Sequence, residues 1–156
     1  MTNIFEVVFE RVDKCHVVQV LTRIISGAKC IISVECTENI VLMNEGHLNI
    51  KGFESILNFN GDVSILIRLE DMKAGNVTLP SVLLRLVKYN ELFDVDFNFD
   101  VDELKNTNAA LVMSQLHGYA KQISGNFNVW NFFGGMEPAA DKNTRYFTNQ
   151  IVGPLN

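Results

Sequence analysis

The chain has 156 residues, of which 47% are apolar and 20% charged, with three Pro and ten Gly. This composition excludes an intrinsically disordered or collagen-like chain, and the length fits a single domain over residues 1–156. Eighteen acids against 13 bases leave a net charge of −5, which argues against nucleic acid and acidic membranes as partners and favours a positively charged protein or small molecule.

Hydrophobic periodicity predicts a strand and then a helix in the first 27 residues. Residues 4–10 are rich in β-branched and aromatic side chains, as strands are. Asp13 is predicted to cap a helix in which apolar residues of the segment 17–25 fall at helical spacing before Gly27. The β-branched residues of this helix would also suit a strand.

A strand, a poorly patterned region and a turn are predicted next. Residues 30–36 are predicted to be a strand, with Ile32 and Val34 pointing inward. Residues 39–59 carry the weakest hydrophobic pattern, and we expect a short strand and irregular structure there. A strand pair and a short helix remain as alternatives for this region. The Asn-Gly-Asp sequence at residues 60–62 predicts a turn.

The middle of the chain is predicted to form a strand, a helix and a second strand. Apolar residues recur at every second position of residues 63–70, which predicts a strand. Thr78 is predicted to cap a helix that has Pro80 in its first turn and runs to about Asn90. Residues 92–102 are predicted to be the second strand.

The clearest predicted helix begins at Thr107 or Asn108. Its apolar side chains follow the i, i+3, i+4, i+7 rule until Ser124 and Gly125 end it. A last strand is predicted over residues 127–133, followed by a turn at residues 134–135 and a polar tail.

Together these elements predict an α+β fold, with a mainly antiparallel sheet and helices packed on one face of it. Several strands alternate apolar and polar side chains instead of being uniformly apolar. This pattern favours a sheet with one wetter face over a parallel sheet that is buried on both faces.

The three cysteines, Cys15, Cys30 and Cys36, lack the CxxC spacing of metal and redox motifs. We find no signal-peptide pattern in the first ten residues, and charged residues interrupt the most apolar stretch, residues 17–34. We therefore expect a cytoplasmic chain whose thiols are reduced and packed as small buried side chains.

The most informative segment is the alternating sequence FDVDFNFDVD at residues 93–102. On a strand, its Phe and Val residues point one way and its Asp and Asn residues the other. Residues 91–103 hold six of the 18 acids and no base. Because Asp is a poor strand former and like charges repel, this arrangement costs some stability.

Three interpretations of these acids remain open at the sequence level. They could form a solvated face that discourages edge pairing of the strand, or a docking surface for a basic partner. A calcium-binding loop is the third, but it would need Gly and Glu where this chain has Phe99 and Lys105.

No catalytic residue, metal site or cofactor is predicted. His16 follows Cys15, and neighbours in a helix or strand point apart, so we expect no nucleophile–base pair from them. His47 and His117 are isolated and are expected to be structural. No sequence motif for phosphate, dinucleotide or hydrolytic chemistry is present.

The C-terminal stretch carries a family resemblance. Its segments are FFGGMEPA at residues 132–139, Asp141, TRYFT at residues 144–148 and GPL at residues 153–155. They resemble the tail of small bacterial immunity proteins from contact-dependent growth-inhibition and related polymorphic-toxin systems.

This resemblance implies a cytoplasmic, non-enzymatic protein that binds a cognate toxin's C-terminal domain and blocks its active site or substrate entry. Such toxins are often nucleases with basic surfaces, which an acidic surface would complement. On charge and pattern alone, we predict that these residues contact the partner: Glu91, Asp94, Asp96, Asn98, Asp100, Asp102 and Glu103. The alternative is a small-molecule-binding or self-associating regulatory α+β module, and the oligomeric state is left open.

The tail itself is predicted to be structural. Glu137 and Arg145 are expected to pair, while Pro138 fixes the chain after the glycine turn. Tyr146 and Phe147 are expected to return to the core.

Overall fold

The computed structural model describes residues 3–105 and 107–150. Within these residues, seven strands form one sheet in the order β2-β5-β6-β7-β1-β8-β9, in which all neighbouring strands are antiparallel. A separate hairpin joins β3 and β4. In chain order the elements are β1 (Ile4–Glu10), α1 (Val17–Ser26), β2 (Cys30–Cys36), β3 (Met43–Asn44), β4 (His47–Leu48), α2 (Ile50–Asn58), β5 (Val63–Ala74), β6 (Val77–Tyr89), β7 (Leu92–Asp100), α3 (Ala109–Phe127), β8 (Asn131–Met136) and β9 (Arg145–Thr148).

One face of the sheet carries the hydrophobic core. Alternate residues of each long strand, such as Phe5, Ile67 and Phe97, are buried in a single cluster with the apolar sides of the three helices. The α+β class, the antiparallel sheet and the packing of helices on one face are therefore confirmed. No helix among the described residues is both long and apolar enough to cross a bilayer.

Strand β6 replaces the helix that was predicted from Thr78 to Asn90. Its apolar residues satisfy both helical and strand spacing, but Gly75 and Asn76 form a two-residue turn that pairs β6 with the strongly patterned β5. Pro80 has no partner in the register between Leu79 and Ser81, and β7 pairs with β6 only from Leu83 onward, so the missing N–H of Pro80 is tolerated.

A β-bulge in β2 overturns the predicted orientation of Ile32. The pairing with β5 steps from Ile31 directly to Ser33, so Ile32 is the extra residue and its side chain is 60% exposed. Ile31 packs against the core instead, together with Val34.

The poorly patterned region 39–59 contains both structures that were left open. The β3–β4 hairpin turns at Glu45 and Gly46, and helix α2 follows directly. Gly52 lies so close to the Val41 carbonyl that a Cβ atom there would overlap it. The short strand was expected, and the hairpin and helix α2 are the two alternatives that the sequence left open.

The ends of two helices differ from their predictions. The N-cap of α1 is His16 rather than Asp13, and it makes no side-chain capping hydrogen bond. Asn108 caps α3 as expected, because its side-chain oxygen accepts a hydrogen bond from the Leu111 N–H at 2.7 Å. Helix α3 continues past Gly125 and ends at Asn128, which adopts the left-handed conformation.

The predicted glycine turn is part of strand β8. Gly134 faces the ring of Phe147, and Gly135 faces the backbone of Thr144; a Cβ on either glycine would overlap these atoms. The two glycines therefore allow β9, which the sequence pattern did not predict, to approach β8 closely.

Most of the predicted tail contacts are present. Phe147 is buried and Tyr146 packs against Phe5, with ring centroids 5.6 Å apart. Arg145 does not pair with Glu137, since it donates hydrogen bonds to the Ala139 and Ala140 carbonyls and lies over the Phe133 ring. The GPL segment of the resemblance, residues 153–155, lies outside the described residues.

Candidate functional site

Strand β7, which carries the acidic residues, lies at the centre of the sheet. It pairs with β6 on one side and with β1 on the other. The interpretation of its acids as protection for an edge strand is therefore wrong. As predicted, the Phe and Val residues of β7 are buried in the core, and the acids and Asn98 alternate with them toward the face opposite the helices. The strand ends at Asp100, and residues 101–103 form a 3-10 turn.

We call the face of the sheet opposite the helices the open face. In one cross-strand row, register places Leu66, Arg85, Asp96, Val8 and Phe133 side by side. The next row contains Arg68, Leu83, Asn98, Glu6 and Gly135. In both rows, charged side chains thus lie beside apolar ones.

Asp96 is buried, so the interpretation of these acids as a solvated face does not hold for it. It is 3% exposed, and its Oδ2 accepts a hydrogen bond from Arg85 Nε at 2.9 Å. Its Oδ1 has no partner among the described residues. Burial raises the pKa of Asp96 from 3.8 to about 6, although the Arg85 guanidinium lowers it; Glu6 and Glu137 raise it further.

Asp94 lies nearer the start of β7 and is half-buried. It accepts hydrogen bonds from the Tyr89 hydroxyl and the Arg11 backbone N–H, both at 2.9 Å. Burial raises the pKa of Tyr89, and the hydrogen bond to Asp94 adds to this effect. Asp94 therefore has two internal partners, and a binding partner would have to share or replace them.

Glu91 is exposed, yet it lies beside a buried cation. Its carboxylate is 3.6 Å from the Nζ of Lys88, whose side chain is only 1% exposed. Lys88 points to the core face, where it donates hydrogen bonds to the Leu57 and Phe59 carbonyls at the C-terminus of α2. The Phe93 ring lies 5.6 Å from the same ammonium group.

The remaining predicted residues lie at the other end of β7. Asp100 accepts a hydrogen bond from the Asp102 N–H at 3.0 Å and so caps the 3-10 turn. Asp102 is exposed and accepts from Asn3 Nδ2, while Glu103 is exposed as well. Asp100 lies about 20 Å from Asp94, since the two residues are six positions apart on the strand.

A cavity of about 430 Å³ opens on the open face beside Asp100. Its lining combines carboxylates with apolar surface and one guanidinium. We call it the β7 recess, and its principal lining residues are Ile32, Arg68, Leu83, Asn98, Asp100 and Glu103.

The structure thus divides the seven predicted contact residues into groups. Asn98, Asp100 and Glu103 line the recess, and Asp102 lies next to it. Asp94 and Glu91 lie at the opposite end of β7, and Asp96 is buried between the two groups.

Sequence reasoning missed the basic and apolar parts of the open face. Arg85 and Leu83 lie on β6, which was predicted to be a helix, and Ile32 reaches the recess because of the bulge in β2. The Gly75-Asn76 turn was the one signal that could have predicted β6.

The histidines and cysteines differ in part from their predicted settings. Cys15 and Cys30 are exposed rather than buried, and Cys36 is half-buried. His117 is structural as expected: its ring packs against Phe147 and lies 3.2 Å from the Thr148 carbonyl, and burial lowers its pKa.

Cys15 and His16 come together, although they were expected to point apart. They lie in the turn before α1 rather than in regular structure, and Cys15 Sγ is 3.5 Å from His16 Nδ1. A carboxylate oxygen of Asp13 is 4.0 Å from the same nitrogen.

Comparisons with known proteins identify relatives over nearly the whole chain. A family model described as PABL017 Cdi1I immunity protein matches residues 3–151. The chain is also 34% identical to a chain in a crystal structure of the toxic C-terminal tip of CdiA from Pseudomonas aeruginosa in complex with immune protein. That match covers 100% of both chains with a TM-score of 0.87. No curated protein matches significantly.

Proposed function

The chain belongs to the PABL017 Cdi1I immunity protein family, and we propose that it binds and neutralises the toxic C-terminal tip of a cognate CdiA protein in the cytoplasm. The observation that carries this proposal is the full-length similarity, at 34% identity and a TM-score of 0.87, to a chain of a CdiA toxin–immune protein complex. Neutralisation occurs by binding alone, without turnover, and the described chain acts as one domain.

The charge of the chain supports a basic toxin as the partner. A net charge of −5 favours encounter with a positively charged surface, and nuclease toxins need such a surface to hold phosphates. We therefore propose that the toxin is a nuclease and that the immunity protein covers its active site or its substrate entry.

The open face is the proposed docking surface. Helices cover the other face, whereas here five paired strands hold polar and apolar side chains at fixed spacing. A rigid surface of this kind loses little conformational entropy on binding. The seven predicted contact residues stay a proposal, with Asn98, Asp100 and Glu103 ranked first because they line one cavity, whereas Asp96 is buried.

The recess suits a Lys or Arg side chain of the toxin. Ile32 and Leu83 offer apolar surface for the aliphatic stem, while Asp100 and Glu103 offer carboxylates for the cationic head. Arg68 lies at the same opening, where it would favour one orientation of the incoming cation by repulsion.

A binding and growth assay with charge-reversed variants tests the proposal. The wild-type chain is expected to bind the CdiA tip from the same bacterium and to restore growth of cells that express it. Glu103→Lys is expected to weaken binding at least about tenfold at low salt, because it places a cation at the mouth of the recess, and this loss should shrink as salt rises.

Glu54→Lys is the matched control, since Glu54 is an exposed acid on α2, on the covered side of the sheet. It makes the same change in net charge and is expected to bind within about twofold of wild type. If the wild type neither binds the tip nor protects the cells, the proposed function is wrong. If the wild type binds but both variants weaken equally, only the docking surface is wrong.

A further inference from the structure

The turn that precedes α1 brings together three side chains with different donor atoms. The Asp13 carboxylate, the Cys15 thiol and the His16 imidazole each offer one atom, and these three atoms lie within 4.8 Å of one another. Backbone hydrogen bonds from the His16 and Val17 N–H groups to the Asp13 carbonyl fix the turn, at 2.8 and 3.1 Å. The donors are therefore held by local backbone structure and not by chance contact of distant segments.

The spacing of these atoms fits a tetrahedral metal. A zinc ion with a Zn–S distance of about 2.3 Å and a Zn–N distance of about 2.0 Å separates its sulfur and nitrogen ligands by about 3.5 Å. Cys15 Sγ and His16 Nδ1 are 3.5 Å apart. The oxygen of Asp13 is 4.0 Å from the same nitrogen and belongs to an exposed side chain, so a small rotation brings it into range.

The donor types select zinc over the alkaline-earth ions. Calcium and magnesium prefer oxygen ligands, whereas thiolate and imidazole suit zinc. A thiolate and a carboxylate also balance the two charges of the ion. With three protein ligands, the fourth position is open to water or to a group from a partner.

These side chains are not used elsewhere in the described structure. His16 is the N-cap of α1 but makes no capping hydrogen bond with its side chain. Cys15 and Asp13 both approach the same nitrogen, His16 Nδ1, which has one position for a single hydrogen-bond partner. A cation between the three atoms would engage all of them at once.

We propose that Asp13, Cys15 and His16 form a three-ligand zinc site at the start of α1. The site lies outside the β7 recess and does not depend on toxin binding. It would stabilise the turn that joins β1 to α1, because zinc that binds only the folded turn raises the free energy of unfolding.

Zinc titration of the full-length chain without an affinity tag tests this site. The wild type is expected to take up one zinc ion in competition with a chromophoric chelator, and cobalt is expected to give a thiolate charge-transfer band. Cys15→Ser should remove that band and weaken zinc binding by more than about tenfold. His16→Ala should weaken zinc binding by as much, since losing even a side chain that only hydrogen-bonds to a metal ligand typically weakens metal binding about tenfold or more.

Cys30→Ser and His47→Ala are the matched controls, because Cys30 and His47 are also exposed but lie outside the turn. Both controls should bind zinc like the wild type, and zinc should raise the melting temperature of the controls but not of Cys15→Ser. The proposal is overturned if the wild type binds no zinc, if Cys15→Ser binds it unchanged, or if Cys30→Ser loses it equally.

Discussion

At the scale of single residues, two buried charged groups, Asp96 and Lys88, lie on neighbouring strands of the sheet. Asp96 faces the open side and has Arg85 as its ionic partner, and Lys88 faces the core and ends at the carbonyls of α2. The sequence predicted a strand with acids on one face but could not predict which acids are buried. Burial depends on cross-strand neighbours such as Arg85, which register brings from 11 residues away.

Asp96 should make the protein less stable as the pH rises toward neutrality. The pKa of Asp96 in the folded state is about 6, above the ordinary 3.8. The contribution of the protonated carboxyl to the free energy of unfolding is therefore fully present below pH 3.8 and is lost as the pH rises through 6. This difference between the two pKa values corresponds to a loss of about 3 kcal/mol in the free energy of unfolding.

Asp96→Asn should remove this loss while keeping an oxygen that accepts from Arg85. Urea unfolding from pH 4 to 7 is therefore expected to show the variant gaining stability relative to wild type as the pH rises. Parallel curves for the two proteins across this range would contradict the assignment.

Lys88→Met should destabilise the protein by about 3 kcal/mol, because it leaves the Leu57 and Phe59 carbonyls at the end of α2 without their charged donor. Met is unbranched and only one heavy atom shorter than Lys, so the change tests the hydrogen bonds more than the packing. Lys51→Met, at an exposed position of the same helix, is the control and should change stability by less than about 0.5 kcal/mol. Equal effects in denaturant unfolding would show that the ammonium group of Lys88 is not what stabilises α2.

At the scale of elements, prediction succeeded where periodicity was long and unambiguous. The stripe of α3 and the alternation of β5 and β7 each have one interpretation, and the structure has these elements. It failed where a local pattern had two interpretations. The apolar residues of β6 suit a helix too, and pairing with β5 and β7 decides in favour of the strand.

Two glycine substitutions, one where β8 and β9 approach closely and one on α3, are predicted to have opposite effects on stability. Gly134→Ala should destabilise the protein by about 1–3 kcal/mol, because the new methyl group overlaps the buried Phe147 ring. Gly125→Ala, on the exposed side of α3 with nothing within 4 Å of its Cβ, should stabilise it by about 0.5–1 kcal/mol. Thermal unfolding measures both, and a neutral Gly134→Ala would contradict the tight packing of the two strands.

At the scale of the whole molecule, composition and alternation were enough to predict the class of fold but not its strand order. The sequence predicted the face on which the candidate contacts lie, since side chains on a strand alternate. It could not predict the β7 recess, because that cavity gathers residues from β1, β2, β5, β6 and β7. Such a surface is a product of topology, and no local pattern encodes it.

The position of β1 between β7 and β8 has a consequence for how the protein is made. Strand β1 must remain unpaired in this sheet until residues 92–100 and then residues 131–136 have been synthesised. Contacts so distant along the chain slow folding and postpone its cooperative step until residues 131–136 have been made. A nascent chain that stops before residue 131 therefore leaves one edge of β1 unpaired, and the open face is complete only once β8 has joined the sheet.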